Sequence, residues 1–319
     1  MDLRLLLRLR ENQCGLQELS GMNTNKSNCE KAEMLVEALP YVNRLRDKII
    51  VIKYGGNAMI NEELKKAVMQ DILLMKSVGM HPILVHGGGP AINDMLKKLQ
   101  IESHFEQGLR VTDKQTMEVV EMVLAGKVNK DIVGTLNQIG GKGIGLSGKD
   151  GNLIQARKKY LEKDGEKIDI GYVGEVEAVN KEMLEALMYS GYIPVISSIG
   201  MGQDGMSYNI NADYVAGAVA KAVQANKFIL LTDVEGIFRD YHDKDSLISR
   251  ITLEDIEALE AEGIISGGMV PKVDCCIDAL KGGVAGAHII DGRLRHSILL
   301  EVFFDEGIGT MIDRDKEGV

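Results

Sequence analysis

The stretch Lys48-Ile-Ile-Val-Ile-Lys-Tyr-Gly-Gly56 decides the fold class of this chain. Its four consecutive β-branched residues, Ile49 to Ile52, are typical of a strand that is buried on both faces of a parallel sheet. A helical apolar pattern follows the two glycines. The stretch His81-Pro-Ile-Leu-Val-His-Gly-Gly-Gly-Pro90 repeats this order of strand, glycine run and helix. The sequence therefore predicts an α/β fold with a mainly parallel central sheet.

Composition excludes several functional classes. The 319 residues hold 37 Lys and Arg against 47 Asp and Glu, a net charge of −10. This balance disfavours nucleic acid as a partner, because phosphate backbones require clustered positive charge. No apolar run approaches the roughly 18 residues of a membrane span, so we expect no membrane partner. The four cysteines form no Cys-x-x-Cys pair, which predicts reduced thiols, a cytoplasmic location and no protein-bound metal.

The pattern along the chain divides it into four regions. Residues 1–28 are interpreted as a disordered tail, or as the result of a start placed too early, with Met22 as the true start. Residues 29–47 predict an N-terminal helical arm that Pro40 breaks or kinks. The rest predicts two lobes, 48–200 and 201–319, divided after the strand that ends at Gly200.

Two glycine runs are candidate anion sites. Gly55-Gly56 and Gly87-Gly88-Gly89 each follow a strand and precede a helix, where bare backbone amides bind anions. In a parallel sheet both runs lie at the carboxyl edge, where ligands bind. Two such sites in succession favour a substrate that carries phosphates and a carboxylate. The structural alternative is a pair of tight turns that let helices approach the sheet.

Charged residues stand beside these turns. Lys53 precedes the first run by two residues, and Lys272 follows a glycine turn at a helix start. Two lysines directed at one site would neutralise a phosphoryl group during transfer. Asp213 opens a helix and would organise the lysines, while Arg110 offers a bidentate grip on a carboxylate. Each residue alone also fits a plainer role as a helix cap or surface charge.

Other catalytic signatures are disfavoured. The chain has no GxxxxGK[ST] sequence, so a Walker P-loop is excluded. Residues 143–148 match GxGxxG, but a turn sequence follows where a dinucleotide site needs a helix start. We interpret His86 as a packed structural histidine, and no nucleophile–histidine pair has a convincing context.

Taken together, the motifs resemble the amino acid kinase family, and within it the acetylglutamate kinases. The resemblance spans about residues 30 to 313 and rests on KYGGNAM, LVHGGGPAI, GLRVT, GLSGKDG, GYIPVISSIG, YNINAD, LLTDVEGI and ISGGMVPKV, in that order. The motifs KYGGNAM and LLTDVEGI are shared with carbamate, aspartate and uridylate kinases. The combination of HGGGP, GLRVT and NINAD is more specific to the acetylglutamate enzymes.

The resemblance implies a three-layer α/β sandwich and phosphoryl transfer from ATP to the γ-carboxylate of N-acetyl-L-glutamate, in arginine biosynthesis. Mg²⁺ would bridge the ATP phosphates with little protein ligation. The implied catalytic residues are Lys53, Lys272 and Asp213. The implied acetylglutamate contacts, in the lobe 48–200 and at its border, are Gly88, Gly89, Arg110 and Asn209. The implied nucleotide contacts are Gly55, Gly56, Asp233, Val234, Gly236, Ile237, Phe238, Ile264, Ile265 and Ser266.

The two chain ends resemble the arginine-inhibited branch of these enzymes. In that branch the N-terminal arms interlace three dimers into a hexamer, and L-arginine binds between the arm and the C-terminal lobe. The resemblance makes Glu301, Gly307 and Gly309 candidate effector contacts. Three alternatives remain open: termini that only pack, a sibling kinase for another carboxylate or for carbamate, and a non-catalytic arginine-sensing protein.

Overall fold

The computed structural model describes residues 22–163, 165–304 and 307–314. The chain separates into two compact units, one ending at Arg44 and the other beginning at Leu45. Helix α1, Met22–Leu45, contains Pro40, and all of it except its last residue belongs to the first unit. The helix continues through Pro40, so the predicted break is wrong, and it already includes residues 22–28. The rest of the predicted tail, residues 1–21, lies outside the described residues. One proline removes only one N–H donor, and the hydrogen bonds of the flanking turns keep this helix continuous.

The second unit alternates strands and helices. Its strands are β1 Ile49–Tyr54, β2 His81–His86, β3 Phe105–Glu106, β4 Leu109–Arg110, β5 Gly143–Leu146, β6 Ile154–Lys163, β7 Glu166–Val179, β8 Ile193–Ser197, β9 Ile199–Gly202, β10 Ser207–Asn209, β11 Lys227–Thr232, β12 Arg250–Thr252, β13 Ala287–Asp291 and β14 Thr310–Asp313. Its α-helices are α2 Glu62–Ser77, α3 Gly89–Lys98, α4 Lys114–Glu121, α5 Asn129–Gln138, α6 Lys181–Tyr189, α7 Ala212–Ala222, α8 Leu253–Ala261, α9 Val270–Lys281 and α10 Ser297–Phe303. A π-helix, Met122–Val128, joins α4 to α5.

Eight strands form the central sheet in the order β12-β14-β13-β11-β1-β2-β8-β5. Neighbouring strands run parallel except for the antiparallel pair β13 and β14. The predicted α/β class and mainly parallel sheet are confirmed. This one sheet takes strands from both predicted lobes, and β1 lies near its middle between β2 and β11. Ile50, Val51 and Ile52 of β1 are fully buried. Burial of this apolar run places β1 inside the sheet and its carboxyl end at the edge of the sheet.

A second sheet closes into a small barrel of four strands, β10-β7-β6-β9. β6 and β7 form a hairpin that pairs antiparallel along most of its length. The short strands β3 and β4 form a separate ladder. A single parallel bridge from Thr112 to Gly171 connects the chain after β4 to β7.

The main hydrophobic core lies between the sheet and helices α7 and α9. Cys275 and Cys276 of α9 are buried there as free thiols. Within the described residues, no helix combines the length and apolar character needed to cross a membrane.

Candidate active site

Three charged side chains from distant parts of the chain meet at the end of β1. Lys53 Nζ lies 2.9 Å from Asp213 Oδ1, and Lys272 Nζ donates to Asp213 Oδ2 at 3.0 Å. Asp213 is buried, while the side chains of Lys53 and Lys272 keep 11% and 21% of their surface exposed. The structure thus brings together the three predicted catalytic residues, with both ammonium groups at the border of the solvent.

Local structure explains why Asp213 stands there. Asn211 caps α7, and its Oδ1 accepts a hydrogen bond from the Asp213 backbone N–H at 2.8 Å. Burial alone would raise the pKa of Asp213, but the charges of Lys53 and Lys272 outweigh burial and hold that pKa below its usual range. The carboxylate is therefore ionised at neutral pH and orients both lysines.

The glycine runs leave little room for side chains on the protein side. Gly56 has φ +66°, and a Cβ there would lie 2.5 Å from Asp233 Oδ1. A Cβ on Gly88 would lie 2.5 Å from Leu124 of the π-helix. At Gly89, by contrast, a Cβ meets no atom within 4 Å. Gly89 therefore faces open space at the first turn of α3, where amide groups bind anions.

Strand β7 positions the two predicted acceptor contacts. Thr112 N–H donates to Ile170 O, and the Tyr172 N–H donates to Thr112 O at 2.6 Å. The next residue of β7, Val173, pairs with Asn209 of β10. Asn209 Nδ2 also donates to Thr112 Oγ1 at 3.4 Å, and this hydroxyl donates to Arg110 O at 2.8 Å. One strand thus sets the spacing between Arg110 and Asn209.

A cavity of about 230 Å³ lies between β4, β7 and the start of α7, where Leu109, Val173, Asn211 and Tyr214 line it. The charged residues Lys159, Glu175 and Asp278 line it as well. Its lining includes none of Lys53, Arg110, Asp213 and Lys272, so the cavity is not formed by the charged groups of the site.

The predicted nucleotide segments fall on the other side of β1. The loop from Asp233 to Phe238 follows β11, and its Ile237 N–H donates to Thr310 Oγ1 at 2.8 Å. The side chains of Ile237, Phe238 and Ile265 are buried in the protein interior. The Ile237 carbonyl also accepts a hydrogen bond from the Ile248 N–H at 2.8 Å, so both backbone groups of Ile237 are used within the protein. Ser266, by contrast, is exposed.

His86 has the structural role that the sequence suggested. It is fully buried, and burial lowers its pKa to about 4, so the ring is neutral. Its Nδ1 lies 2.8 Å from Gly87 O and its Nε2 lies 3.0 Å from Asn129 Nδ2. The ring therefore holds the second glycine run in place. No local sequence pattern marks Asn129, which looks like an ordinary polar residue of a helix.

The predicted effector residues lie at a second, buried cluster. Glu301 Oε1 lies 2.6 Å from His288 Nδ1, and Glu301 Oε2 accepts from the Ile308 N–H at 2.8 Å. Lys227 Nζ lies 3.0 Å from His288 Nε2. Gly307 adjoins Glu301, with φ +45°. The sequence pattern missed His288 and Lys227, because both look like ordinary members of buried strands.

Gly309 is packed differently from Gly307. A Cβ on Gly309 would lie 2.2 Å from the Ile289 carbonyl oxygen of β13. This glycine therefore allows the chain to approach β13 closely. Burial would raise the pKa of Glu301, but His288, the Ile308 amide and Lys227 together lower it. Glu301 is therefore a buried, ionised carboxylate.

Comparison with protein families gives one clear match. A family model described as the amino acid kinase family matches residues 48–291. Among curated proteins, an acetylglutamate kinase of Heliobacterium modesticaldum is 59% identical over 288 residues, which cover 89% of this chain and 98% of that protein. An acetylglutamate kinase of Caldicellulosiruptor bescii is 60% identical over 283 residues, covering 89% and 96%.

Solved structures share the fold. A protein of Streptococcus mutans UA159 is similar with a TM-score of 0.68 and 32% identity, over 84% of this chain and 99% of that one. The N-acetylglutamate synthase of Neisseria gonorrhoeae, complexed with coenzyme A and N-acetyl-glutamate, has a TM-score of 0.77 at 24% identity. That match covers 89% of this chain and 63% of the synthase, and it shows the fold alone.

Proposed function

Because this chain is a kinase that belongs to the amino acid kinase family, we propose that it transfers the γ-phosphoryl group of ATP to the γ-carboxylate of N-acetyl-L-glutamate. The product is the acyl phosphate N-acetyl-L-glutamyl 5-phosphate, and the reaction serves arginine biosynthesis. The observation that carries the proposal is the ion-paired group Lys53, Asp213 and Lys272, which lies between two glycine runs. The names and high identity of the curated relatives support the choice of substrate.

The reaction joins two anions, so its main requirement is positive charge. One acceptor carboxylate oxygen forms a bond to the γ-phosphorus while the bond to the β,γ-bridging oxygen breaks and ADP leaves. Lys53 and Lys272 stabilise the charge on the phosphoryl group in transit. Asp213 keeps their ammonium groups at a fixed spacing. The acceptor is already ionised at pH 7, so no general base is needed, which agrees with the structural role of His86.

The acceptor binds in the lobe 48–200. Arg110 pairs with its α-carboxylate, and Asn209 with Gly88 and Gly89 holds the remainder of the molecule. The amides at the start of α3 favour negative charge at this end of the helix.

ATP binds in the lobe 201–319. The amides of Gly55 and Gly56 contact its phosphates, and the segments 233–238 and 264–266 contact the nucleoside. Both oxygens of Asp213 face lysines, so this carboxylate serves the lysines. Mg²⁺ bound to the ATP phosphates would neutralise part of their charge. Within the described chain no three His, Cys, Asp or Glu side chains are grouped to hold a metal ion.

The proposal extends to regulation. L-arginine inhibits the enzyme by binding at Glu301, Gly307 and Gly309, where a buried carboxylate fits a guanidinium group. The helical arm α1 pairs with a second subunit, and three dimers form a hexamer in the cytoplasm. The apolar residues Met34, Leu35 and Leu39 of α1 are exposed, which supports a role for this arm in assembly.

The direct test is ATP-dependent hydroxamate formation with N-acetylglutamate, glutamate, aspartate and carbamate, each with and without arginine. We expect turnover with N-acetylglutamate alone and inhibition by arginine. Turnover on a different acceptor keeps the kinase but overturns the roles of Arg110 and Asn209. Folded protein that turns over none of them overturns the proposed reaction and favours a binding protein.

A further inference from the structure

Arg110 is held by three neutral groups. The residue is buried, with 8% of its surface exposed. Its Nη2 donates to Asn93 Oδ1 at 2.6 Å, and its Nη1 donates to Ser103 Oγ. The guanidinium carbon lies 4.7 Å from the ring centroid of Phe105. These contacts fix the plane of the guanidinium and use two of its five N–H donors, so three donors are left for another partner.

The positive charge of Arg110 is not balanced by any acid in the described chain. No carboxylate among those residues lies within ion-pair distance, and burial alone lowers the pKa of Arg110. Arg157, Arg250 and Arg293, by contrast, each form an ion pair with a carboxylate. A buried cation without a counter-ion is costly, so the arrangement is set for an anionic ligand.

The location of the three neutral groups agrees with that interpretation. Asn93 lies on α3, four residues after Gly89, so it projects near the N-terminal turn of that helix. Phe105 belongs to β3, which pairs directly with the Arg110 residue of β4. The guanidinium is therefore held beside the helix amides that were assigned to the acceptor.

We propose that Asn93, Ser103 and Phe105 are positioning residues that keep Arg110 both fixed in orientation and free of a protein counter-ion. This neutral cradle makes the enzyme select acceptors that carry a second carboxylate beside the one that is phosphorylated. The inference rests on the proposed function, in which Arg110 pairs with the α-carboxylate of N-acetylglutamate. It adds that the neutrality of residue 93 sets this specificity.

The decisive variant is Asn93→Asp, which places a carboxylate against Arg110. We expect the KM for N-acetylglutamate to rise about tenfold or more, because the new ion pair competes with the substrate. The KM for ATP and kcat at saturating acceptor should change less than about threefold. The same ion pair should raise the melting temperature of the ligand-free enzyme. A merely structural role for Asn93 predicts the opposite, a lower melting temperature.

An acceptor analogue isolates the contact. N-acetylglutamate α-amide keeps the γ-carboxylate and lacks the α-carboxylate. We expect the wild type to prefer N-acetylglutamate by about 100-fold in kcat/KM, since a buried charged contact is lost. In Asn93→Asp this preference should fall below about tenfold. The milder Ser103→Ala should raise the acceptor KM a few-fold and leave the KM for ATP unchanged.

The control is Gln100→Glu, which adds the same charge at an exposed position just after the C-terminal end of α3 and should leave all constants near wild type. An acceptor KM that Asn93→Asp does not change, in an active and folded enzyme, overturns this inference alone. Equal losses for both acceptors, or a matching rise in the KM for ATP, also overturn it. A wild type without turnover on N-acetylglutamate overturns the proposed function and this inference together.

Discussion

The ammonium group of Lys53 lies 2.9 Å from the Oδ1 of Asp213, although β1 and α7 are far apart in sequence. Lys272 takes the other oxygen of the same carboxylate at 3.0 Å. The two lysines are therefore held at a spacing that one carboxylate determines. Each ammonium group can also interact with an incoming phosphoryl group. The Asp213 carboxylate meanwhile keeps the two positive charges close together.

The first prediction concerns these lysines. Lys53→Ala or Lys272→Ala should lower kcat by about 100-fold or more, because each removes one preorganised donor from the transition state. Asp213→Asn should lower kcat as well, since the lysines lose their common partner. Steady-state kinetics of folded protein measure the effect. Lys158→Ala, which removes an exposed lysine paired with Asp169, is the matched control. Turnover near wild type in either lysine variant contradicts the assigned role.

A second prediction uses the open space at Gly89. Gly89→Ala adds a Cβ that meets no protein atom, so the melting temperature should stay level or rise slightly. The acceptor KM should nevertheless rise about tenfold, since the methyl group occupies the ligand space. Gly134→Ala on α5 also meets no atom within 4 Å and should leave the kinetics unchanged. If both variants behave alike, Gly89 does not contact the acceptor.

The third prediction tests regulation. Glu301→Gln removes the negative charge that would pair with the arginine guanidinium, so the arginine concentration for half inhibition should rise about tenfold or more. The activity without arginine should remain within about twofold of the wild type. Inhibition curves with saturating ATP and acceptor decide the matter. Unchanged inhibition in an active Glu301→Gln enzyme would place the effector elsewhere.

A fourth prediction concerns how the free energy of unfolding depends on pH. Asp71 on α2 is fully buried, with His296 Nδ1 2.6 Å from its Oδ1, while its Oδ2 has no hydrogen-bond partner. Burial raises the pKa of Asp71 to about 6, although His296 opposes the shift. Between pH 4 and 6 the unfolded chain gives up this proton before the folded chain does, so this group lowers stability as the pH rises.

Asp71→Asn removes that loss and keeps an acceptor for His296. The change in the free energy of unfolding that Asp71→Asn causes should be more favourable at pH 7 than at pH 4, by about 1–3 kcal/mol. Urea unfolding across this pH range measures the change. Asp94→Asn, an exposed change on α3, should alter stability by less than about 0.5 kcal/mol at every pH. A pH-independent effect of Asp71→Asn would contradict the raised pKa.

His86 has the opposite pH dependence. Its folded-state pKa of about 4 lies below the ordinary 6.5, so between these values the unfolded chain binds a proton that the folded chain does not. This group therefore raises stability with pH and offsets Asp71 in the same range. In His86→Gln this rising contribution is lost, so the slope of the free energy of unfolding against pH should become less positive between pH 4 and 6.5. Unfolding curves at several pH values measure this change in pH dependence. The measurement is independent of how much stability the substitution removes at any single pH.

Much of the fold and of the catalytic group follows from local sequence. A β-branched run such as Ile49 to Ile52 fits only a buried strand, and glycines directly after it fix where the strand ends. Lys53 could be placed beside a ligand because an apolar strand cannot bury an unpaired ammonium group. The family resemblance of the motifs is confirmed by the match over residues 48–291.

Other features depend on tertiary structure that no local pattern reports. Asn93 looks like an exposed polar residue of a helix, and only the β3–β4 ladder brings Arg110 against it. His288 and Glu301 lie on a strand and a helix whose packing decides their contact. The continuity of α1 through Pro40 also escapes a rule that treats proline as a helix terminator. In each case the deciding partner is distant in sequence or the local penalty is small.

The middle and the tip of the β6–β7 hairpin differ in their tolerance to a change in chain length. In the middle, Gly171 and Val173 of β7 pair with Thr112 and Asn209, so one inserted residue there would displace Asn209 and the chain that carries Arg110, and would turn alternate side chains to the other face. At the tip, Lys163 and Glu166 are paired with each other and hold no part of the site. Natural variants and engineered insertions should therefore accumulate at the tip, while the stretch from Gly171 to Val173 keeps its length.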